Sequence, residues 1–197
     1  MEQTVNAPCP TCGAEEGLRL RTHIDEIPYF GEHTQVTLLC VACGWRQTDL
    51  IPAEAQTPTG WKLEISSPRH LTARVVRSTA CTVRIPELDL EVAPGASSTG
   101  YVSNVEGVLQ RFLDVLDIVE RDVVAHGDLP EERAALDLLR MRLTMTMAAV
   151  FDAPVTLELL DPSGRSLILD DDASQRELTA EEADELPTGP EPPVFSS

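Results

Sequence analysis

Cys9-Pro10-Thr11-Cys12-Gly13 and Cys40-Val41-Ala42-Cys43-Gly44 are one five-residue pattern written twice, with 27 residues between the two pairs. In each copy two thiols are separated by two residues, and the following glycine allows a tight turn that aims backbone N–H groups at sulfur. Four thiolates suit a tetrahedral structural Zn²⁺ with Zn–S near ~2.3 Å, a site with no position left for reactive water. Two redox pairs or two disulfides are the competing readings. Disulfides are rare in the cytoplasm, and a redox pair follows a strand in a βαβ unit that this sequence does not display. We therefore expect one structural Zn²⁺ held by Cys9, Cys12, Cys40 and Cys43, with His23 and His33 not needed as ligands. Metal binding of this kind contributes ~10–16 kcal/mol to folding, which a short acidic segment with few large apolar groups needs. Cys81 lies alone in a strand pattern and reads as a small buried residue.

Between the pairs, Leu18 to Ile24 and Gln35 to Leu39 read as two long strands. The connecting stretch Asp25-Glu26-Ile27-Pro28-Tyr29-Phe30-Gly31-Glu32 is apolar where a hairpin tip should be polar. Ile27, Pro28, Tyr29 and Phe30 are candidate partner-binding residues, because aromatics not needed by a local core often anchor interfaces. The alternative is that they brace the neighbouring domain.

Thr57-Pro58-Thr59-Gly60 marks a joint, giving a zinc ribbon over 1–57 and a β domain over 58–169. In the second unit Trp61 to Ile65, Leu71 to Val76, Cys81 to Ile85 and Leu88 to Val92 read as strands. The period then changes. Val105, Val108, Leu109, Phe112, Leu116, Val119 and Val123 follow helical spacing, and Ser103 or Asn104 is positioned to cap. Asp128-Leu129-Pro130-Glu131 opens a second helix carrying Leu136, Leu139, Leu143 and Met147. So short a link predicts an antiparallel helical hairpin over about 103–150. Strands return at Val155 to Leu160 and Ser166 to Leu169, around the turn Asp161-Pro162-Ser163-Gly164. The expected class is mainly β with a helical insertion.

The chain of 197 residues carries 15 basic and 33 acidic groups, for a net charge of −18. This argues against a general nucleic-acid binder. Lys62 is the only lysine, and an acidic surface with almost no lysine suits a high-salt cytoplasm. No apolar run reaches the ~18–20 residues of a membrane span, and no signal peptide is visible, so a cytoplasmic protein is expected. Residues 170–197 hold 1 basic and 9 acidic groups and end Pro-rich; they read as a disordered acidic tail. Residues 65–86 contain Arg69, Arg74, Arg77, Arg84 and His70 with no carboxylate. Arg74 and Arg77 are candidate contacts for an acidic partner surface through bidentate arginine recognition; internal pairing with nearby carboxylates is the alternative. No nucleophile elbow or phosphate-binding glycine loop is present, and the expectation is a protein that is not an enzyme.

Taken together, Cys9-Pro-x-Cys12-Gly, Ile27-Pro28-Tyr29-Phe30-Gly31-Glu32 and Cys40-x-x-Cys43-Gly44-x-Arg46 resemble the ZPR zinc-finger domain family. Arg74-Val75-Val76-Arg77-Ser78, Ile85-Pro86-Glu87-Leu88 and Val105-Glu106-Gly107-Val108-Leu109 continue the resemblance in order, over about residues 7–170. A single copy is similar to the archaeal form. The resemblance implies a zinc ribbon joined to a double-stranded β-helix domain carrying the helical hairpin. It also implies an adaptor or folding factor that binds translation elongation factor 1-alpha, a GTPase. The alternative reading is a zinc-ribbon nucleic-acid-binding module acting in translation or transcription.

Overall fold

The computed structural model describes residues 2–27, 31–52, 57–95, 98–126 and 130–188. The first unit is a four-stranded antiparallel sheet of β1 (Glu2–Val5), β2 (Leu18–Ile27), β3 (Gly31–Cys40) and β4 (Arg46–Pro52), in that order. Val5 pairs with Leu18, Leu18 with Cys40, and Leu39 with Arg46. This register brings both cysteine knuckles to one end of the sheet. Ile27 lies nine residues along β2 from Leu18, roughly 30 Å at the rise of an extended strand. The local core is small: Val5, Cys9, Leu18, Leu20 and Cys40 are buried, with Val36, Leu38 and Trp45 packed beside them.

The second unit is built from β5 (Thr59–Ile65), α1 (Pro68–Leu71), β6 (Arg74–Arg77), β7 (Thr82–Ile85), β8 (Leu90–Val92) and β9 (Tyr101–Asn104). These are followed by α2 (Val105–His126), α3 (Pro130–Met147), β10 (Val155–Asp161), β11 (Leu167–Leu169), β12 (Ser174–Glu177) and α4 (Ala180–Glu185). Five strands form one sheet, ordered β12-β5-β10-β7-β8, and three form another, ordered β11-β6-β9. Leu63, Ile65, Val75, Val83, Leu157, Leu159 and Ile168 fill the core together with Val105, Val108, Leu109 and Phe112 of α2. The helical spacing read from the sequence is thus the face that α2 buries. Asn104 caps it, accepting from the Gly107 N–H at 2.9 Å. Gly107 leaves room for the Ser103 hydroxyl and the capping Asn104, because a Cβ there would force the Ser103 side chain to turn away. Leu143 of α3 is fully buried, and Arg140 reaches Asp117 and Glu120 of α2 at 2.5 and 2.7 Å.

Asp161, at the end of β10, is fully buried and makes no salt bridge among the described residues. Five donors hold its carboxylate: Ser78 Oγ, Ser163 N and Oγ, Arg165 N and Ser166 Oγ, at 2.5–3.0 Å. A buried carboxylate is tolerated when its lone pairs are filled this way. The cluster closes the Asp161-Pro162-Ser163-Gly164 turn, with Gly164 at φ 67, and ties it to the end of β6.

Three expectations need correction. Leu71 does not begin a strand; Pro68 starts a helical turn through Leu71, and the strand is confined to Arg74–Arg77. Leu88 to Val92 is not one continuous strand. A single 3-10 turn, Pro86–Leu88, ends at Asp89 in the left-handed region (φ 51), and only Leu90–Val92 pairs. The turn is held by Glu87, whose carboxylate accepts from Thr156 N and Oγ1 at 2.9 and 2.6 Å.

The third correction concerns the acidic C-terminal stretch. Residues 170–188 are built structure rather than a disordered tail: β12 pairs with β5, from Ser174 opposite Lys62 to Glu177 opposite Thr59. Leu178 and Leu186 then pack on Leu160, covering the outer face of β10. Thr179 and Glu182 form a capping box at the start of α4, and Arg176 clamps Glu182 at 2.7 and 2.8 Å. Residues 189–197 lie outside the described residues.

Candidate metal centre and partner surfaces

The two knuckles make matching hydrogen bonds. Gly13 N–H donates to Cys9 O and Gly44 N–H to Cys40 O, each at 2.9 Å. Cys9 N–H donates to Ala14 O and Cys40 N–H to Trp45 O. Gly13 and Gly44 both sit at positive φ, 71° and 75°, where a side chain would strain the turn. The result is a pair of equivalent turns facing each other across one end of the sheet.

Their four Sγ atoms lie within 4.8 Å of one another. Cys9 and Cys43 are 3.8 Å apart, as are Cys12 and Cys40. A tetrahedron with ~2.3 Å zinc–sulfur bonds has edges of about 3.8 Å, so these separations fit the ion. The donor set fits as well: four thiols, two of them buried and two exposed. Burial opposes ionisation of Cys9, but the N–H groups of Cys12 and Thr11 and the neighbouring thiols outweigh it and bring the thiol down to about 6. The Trp45 N–H favours the Cys43 thiolate, yet burial and the other three thiols push Cys43 up to about 12. One thiolate is welcome in this cluster and the last is strongly resisted. A bound divalent cation removes that conflict.

A second group of potential ligands, His70, Asp170 and Asp172, is held together by protein contacts instead. His70 Nδ1 accepts from Ser66 N–H at 3.1 Å, so its proton resides on Nε2, which faces Asp172 at 3.0 Å. Arg69 is paired with both carboxylates. With no lone pair free on the imidazole and a guanidinium on the acids, the group is a latch between α1 and the segment that leads into β12.

The arginine-rich window resolves unevenly. Arg84 pairs with Glu91 at 2.5 Å. Arg77 is 6% exposed and donates to Ser98 Oγ, Thr99 O and Cys81 O. It is part of the interior, which corrects its reading as a surface contact. Arg74 is exposed on β6 and has no ion-pair partner among the described residues. Ile27 ends β2, and Pro28, Tyr29 and Phe30 lie outside the described residues.

Two features had no signal in the sequence. The first joins the units: Asp49 of β4 is buried and accepts from Thr79 N–H, Thr79 Oγ1 and Arg165 Nη1 at 3.2, 3.0 and 2.9 Å. Gly100 N–H adds a bond to Thr48 O at 2.8 Å. The second is apolar surface. Leu138, Met141 and Met145 recur at i, i+3 and i+7 on α3 and are exposed, as are Val115, Ile118 and Val119 on α2. Helix α3 is therefore apolar both toward the core, through Leu143, and away from it. No helix among the described residues is long and apolar enough to cross a membrane.

Comparison with known proteins adds to this geometry. A family model described as the ZPR1 jelly-roll domain matches residues 69–186. An uncharacterized ZPR1-like protein of Methanocaldococcus jannaschii is 35% identical over 189 residues, covering 96% of this chain and 92% of that protein. The zinc finger protein ZPR1 of Mus musculus is 28% identical over 180 residues, covering 88% of this chain and 37% of its own length. A protein of Schizosaccharomyces pombe named zinc finger chaperone zpr1 is 28% identical over 115 residues, covering 57% of this chain and 24% of its own length.

Proposed function

Because the chain belongs to the ZPR1 family, we propose that it is a non-catalytic zinc-binding adaptor or folding factor for translation elongation factor 1-alpha. It works in the cytoplasm of an archaeal, salt-adapted cell. One Zn²⁺, held by Cys9, Cys12, Cys40 and Cys43, fixes the ribbon. The second unit is a double-stranded β-helix into which α2 and α3 are inserted as an antiparallel hairpin. The reading draws on the chaperone name carried by the Schizosaccharomyces pombe relative.

The observation that carries the proposal is the exposed apolar face of α3. Leu138 is 55% and Met141 50% exposed, on a chain whose net charge of −18 otherwise keeps it wet. Contiguous apolar surface of this sort marks interaction sites, and unbranched methionine adapts to varied partner shapes. A large GTPase exposes complementary apolar surface while partly folded. The Ile27–Phe30 tip and Arg74 supply further contacts.

The nucleic-acid alternative has little to stand on. Arg69 and Arg84 are neutralised by carboxylates and Arg77 is buried, which takes three of the four arginines of the 65–86 window out of any stripe that could follow a phosphate backbone. Refolding of denatured elongation factor 1-alpha with and without the zinc-loaded chain tests the proposal. The wild type should raise the yield of GDP-binding factor, and Leu138→Asp with Met141→Asp should abolish the gain. Equal yields with and without the wild-type chain would refute it.

A further inference from the structure

An open cavity of about 650 Å³ runs between α2, the start of β9 and residues Ala93, Gly95, Ser98 and Thr99, within the ~300–1,000 Å³ range of ligand sites. One part of its wall is apolar: Val83 and Val108, with Phe112, Val115 and Ile118 along α2. Two guanidinium groups converge on it. Arg111 stacks over the Tyr101 ring at 4.0 Å from the centroid, and Arg77 sits 5.8 Å from the same ring.

Neither arginine has a counter-ion among the described residues. Arg77 is 94% buried by its 6% exposure, yet its partners are a hydroxyl and two carbonyls, and they use three of its five N–H donors. A buried guanidinium normally meets a carboxylate. Arg111 is exposed, with the Tyr101 face as its contact. Asp114, the one carboxylate in the lining, is engaged by Gln110 Nε2 at 3.1 Å. The cavity thus holds a local positive excess on a strongly negative chain, and apolar walls focus such a field.

We propose that this groove binds an extended peptide segment of a partner protein in which one acidic side chain stands beside aliphatic or aromatic residues. The carboxylate meets the Arg111 fork, the geometry for which guanidinium is suited, in the field of Arg77 behind Tyr101. The apolar neighbours lie on Phe112, Val115 and Ile118. A single carboxylate gains from the local charge, whereas a polyanion such as RNA is repelled by the rest of the chain. The apolar lining runs along α2 from Val108 through Phe112 and Val115 to Ile118, a strip that suits a chain segment more than a compact small molecule. This site does not depend on which protein is the client, and no residue of α3 lines it.

Panning a random octapeptide library on the zinc-loaded full chain tests the assignment, with enriched peptides then measured by fluorescence anisotropy. The enriched set should pair Asp or Glu with large apolar residues. Replacing that acid by its amide should weaken binding at least tenfold, and so should Arg111→Glu. Arg111→Gln repeats the test without adding a charge. Arg19→Glu, at an exposed cation of β2 in the ribbon, should change nothing. No enrichment, a motif without an acid, or binding indifferent to Arg111 would overturn the proposal. Loss of client refolding in the Leu138 and Met141 variants, with peptide binding intact, keeps this result separate from the folding-factor reading.

Discussion

Asp49→Ala removes a carboxylate of the ribbon that is buried against the β domain. Its oxygens accept from Arg165 Nη1 at 2.9 Å and from Thr79 N–H and Oγ1 at 3.2 and 3.0 Å. Removing one partner of a buried ion pair costs ~3–5 kcal/mol. The Arg165 side chain is 23% exposed against 5% for Asp49, so water recovers part of that cost and the lower end applies. The buried Thr79 N–H then lacks its acceptor, which adds ~1 kcal/mol or more. The expected loss is about 4 kcal/mol. With a urea slope of ~2 kcal/mol/M, the midpoint of the zinc-loaded chain should fall by about 2 M. Asp49→Asn keeps an acceptor for Thr79 and should lie between wild type and alanine. Asp152→Ala, an exposed acid, should stay within ~0.5 kcal/mol. A change below 1 kcal/mol for Asp49→Ala would refute the claim that this carboxylate fastens the two units together.

The other predictions concern the metal, the C-terminal cover and pH. Native mass spectrometry should find one Zn²⁺ per chain, and Cys12→Ser should lose the ion and the ordered ribbon together, seen as collapse of amide dispersion for residues 2–52. Leu178→Ala should cost about 2 kcal/mol, the low end for a buried leucine because Leu160, Leu178 and Leu186 form a small cluster; a urea titration reads it. The side-chain hydrogen bonds from Arg176, with the Thr179 N–H, lower Glu182 from 4.5 to about 2. A depressed carboxylate contributes stability above its unfolded value that is lost as pH falls through the folded one. Helix α4 should therefore fray between pH 4.5 and about 2, followed by hydrogen exchange of its amides, and Arg176→Ala should move that fraying to higher pH.

The four-cysteine cluster was legible because its chemistry is local: two thiols and a glycine in each turn, and spacing alone brings the residue types together. Helix α2 was legible because seven apolar residues keep helical phase and five of them, Val105 to Leu116, are buried. The C-terminal stretch was not. Strand β12 is Ser-Gln-Arg-Glu with every side chain exposed, so it pairs through its backbone and offers no apolar alternation. Leu178 and Leu186 stand eight residues apart amid acids. Arg77 looked like a surface cation because composition does not show that Cys81, Ser98 and Thr99 supply its acceptors. The pairing of Asp49 with Arg165 spans 116 positions, and no local pattern announces it. The outer face of α3 was hidden for another reason: Leu138 and Met141 fall in the same apolar run as Leu136, Leu139 and Leu143, and only packing separates the buried stripe from the exposed one.

The central claim is that the zinc-loaded chain engages translation elongation factor 1-alpha. The direct measurement is size-exclusion chromatography with light scattering on the two purified proteins at low and at high salt, before and after chelation of the metal. A stable complex that dissociates when zinc is removed, and does not form with Leu138→Asp and Met141→Asp, is the predicted result. Two separate peaks with zinc present, for both the folded factor and the factor caught during refolding, would contradict the account.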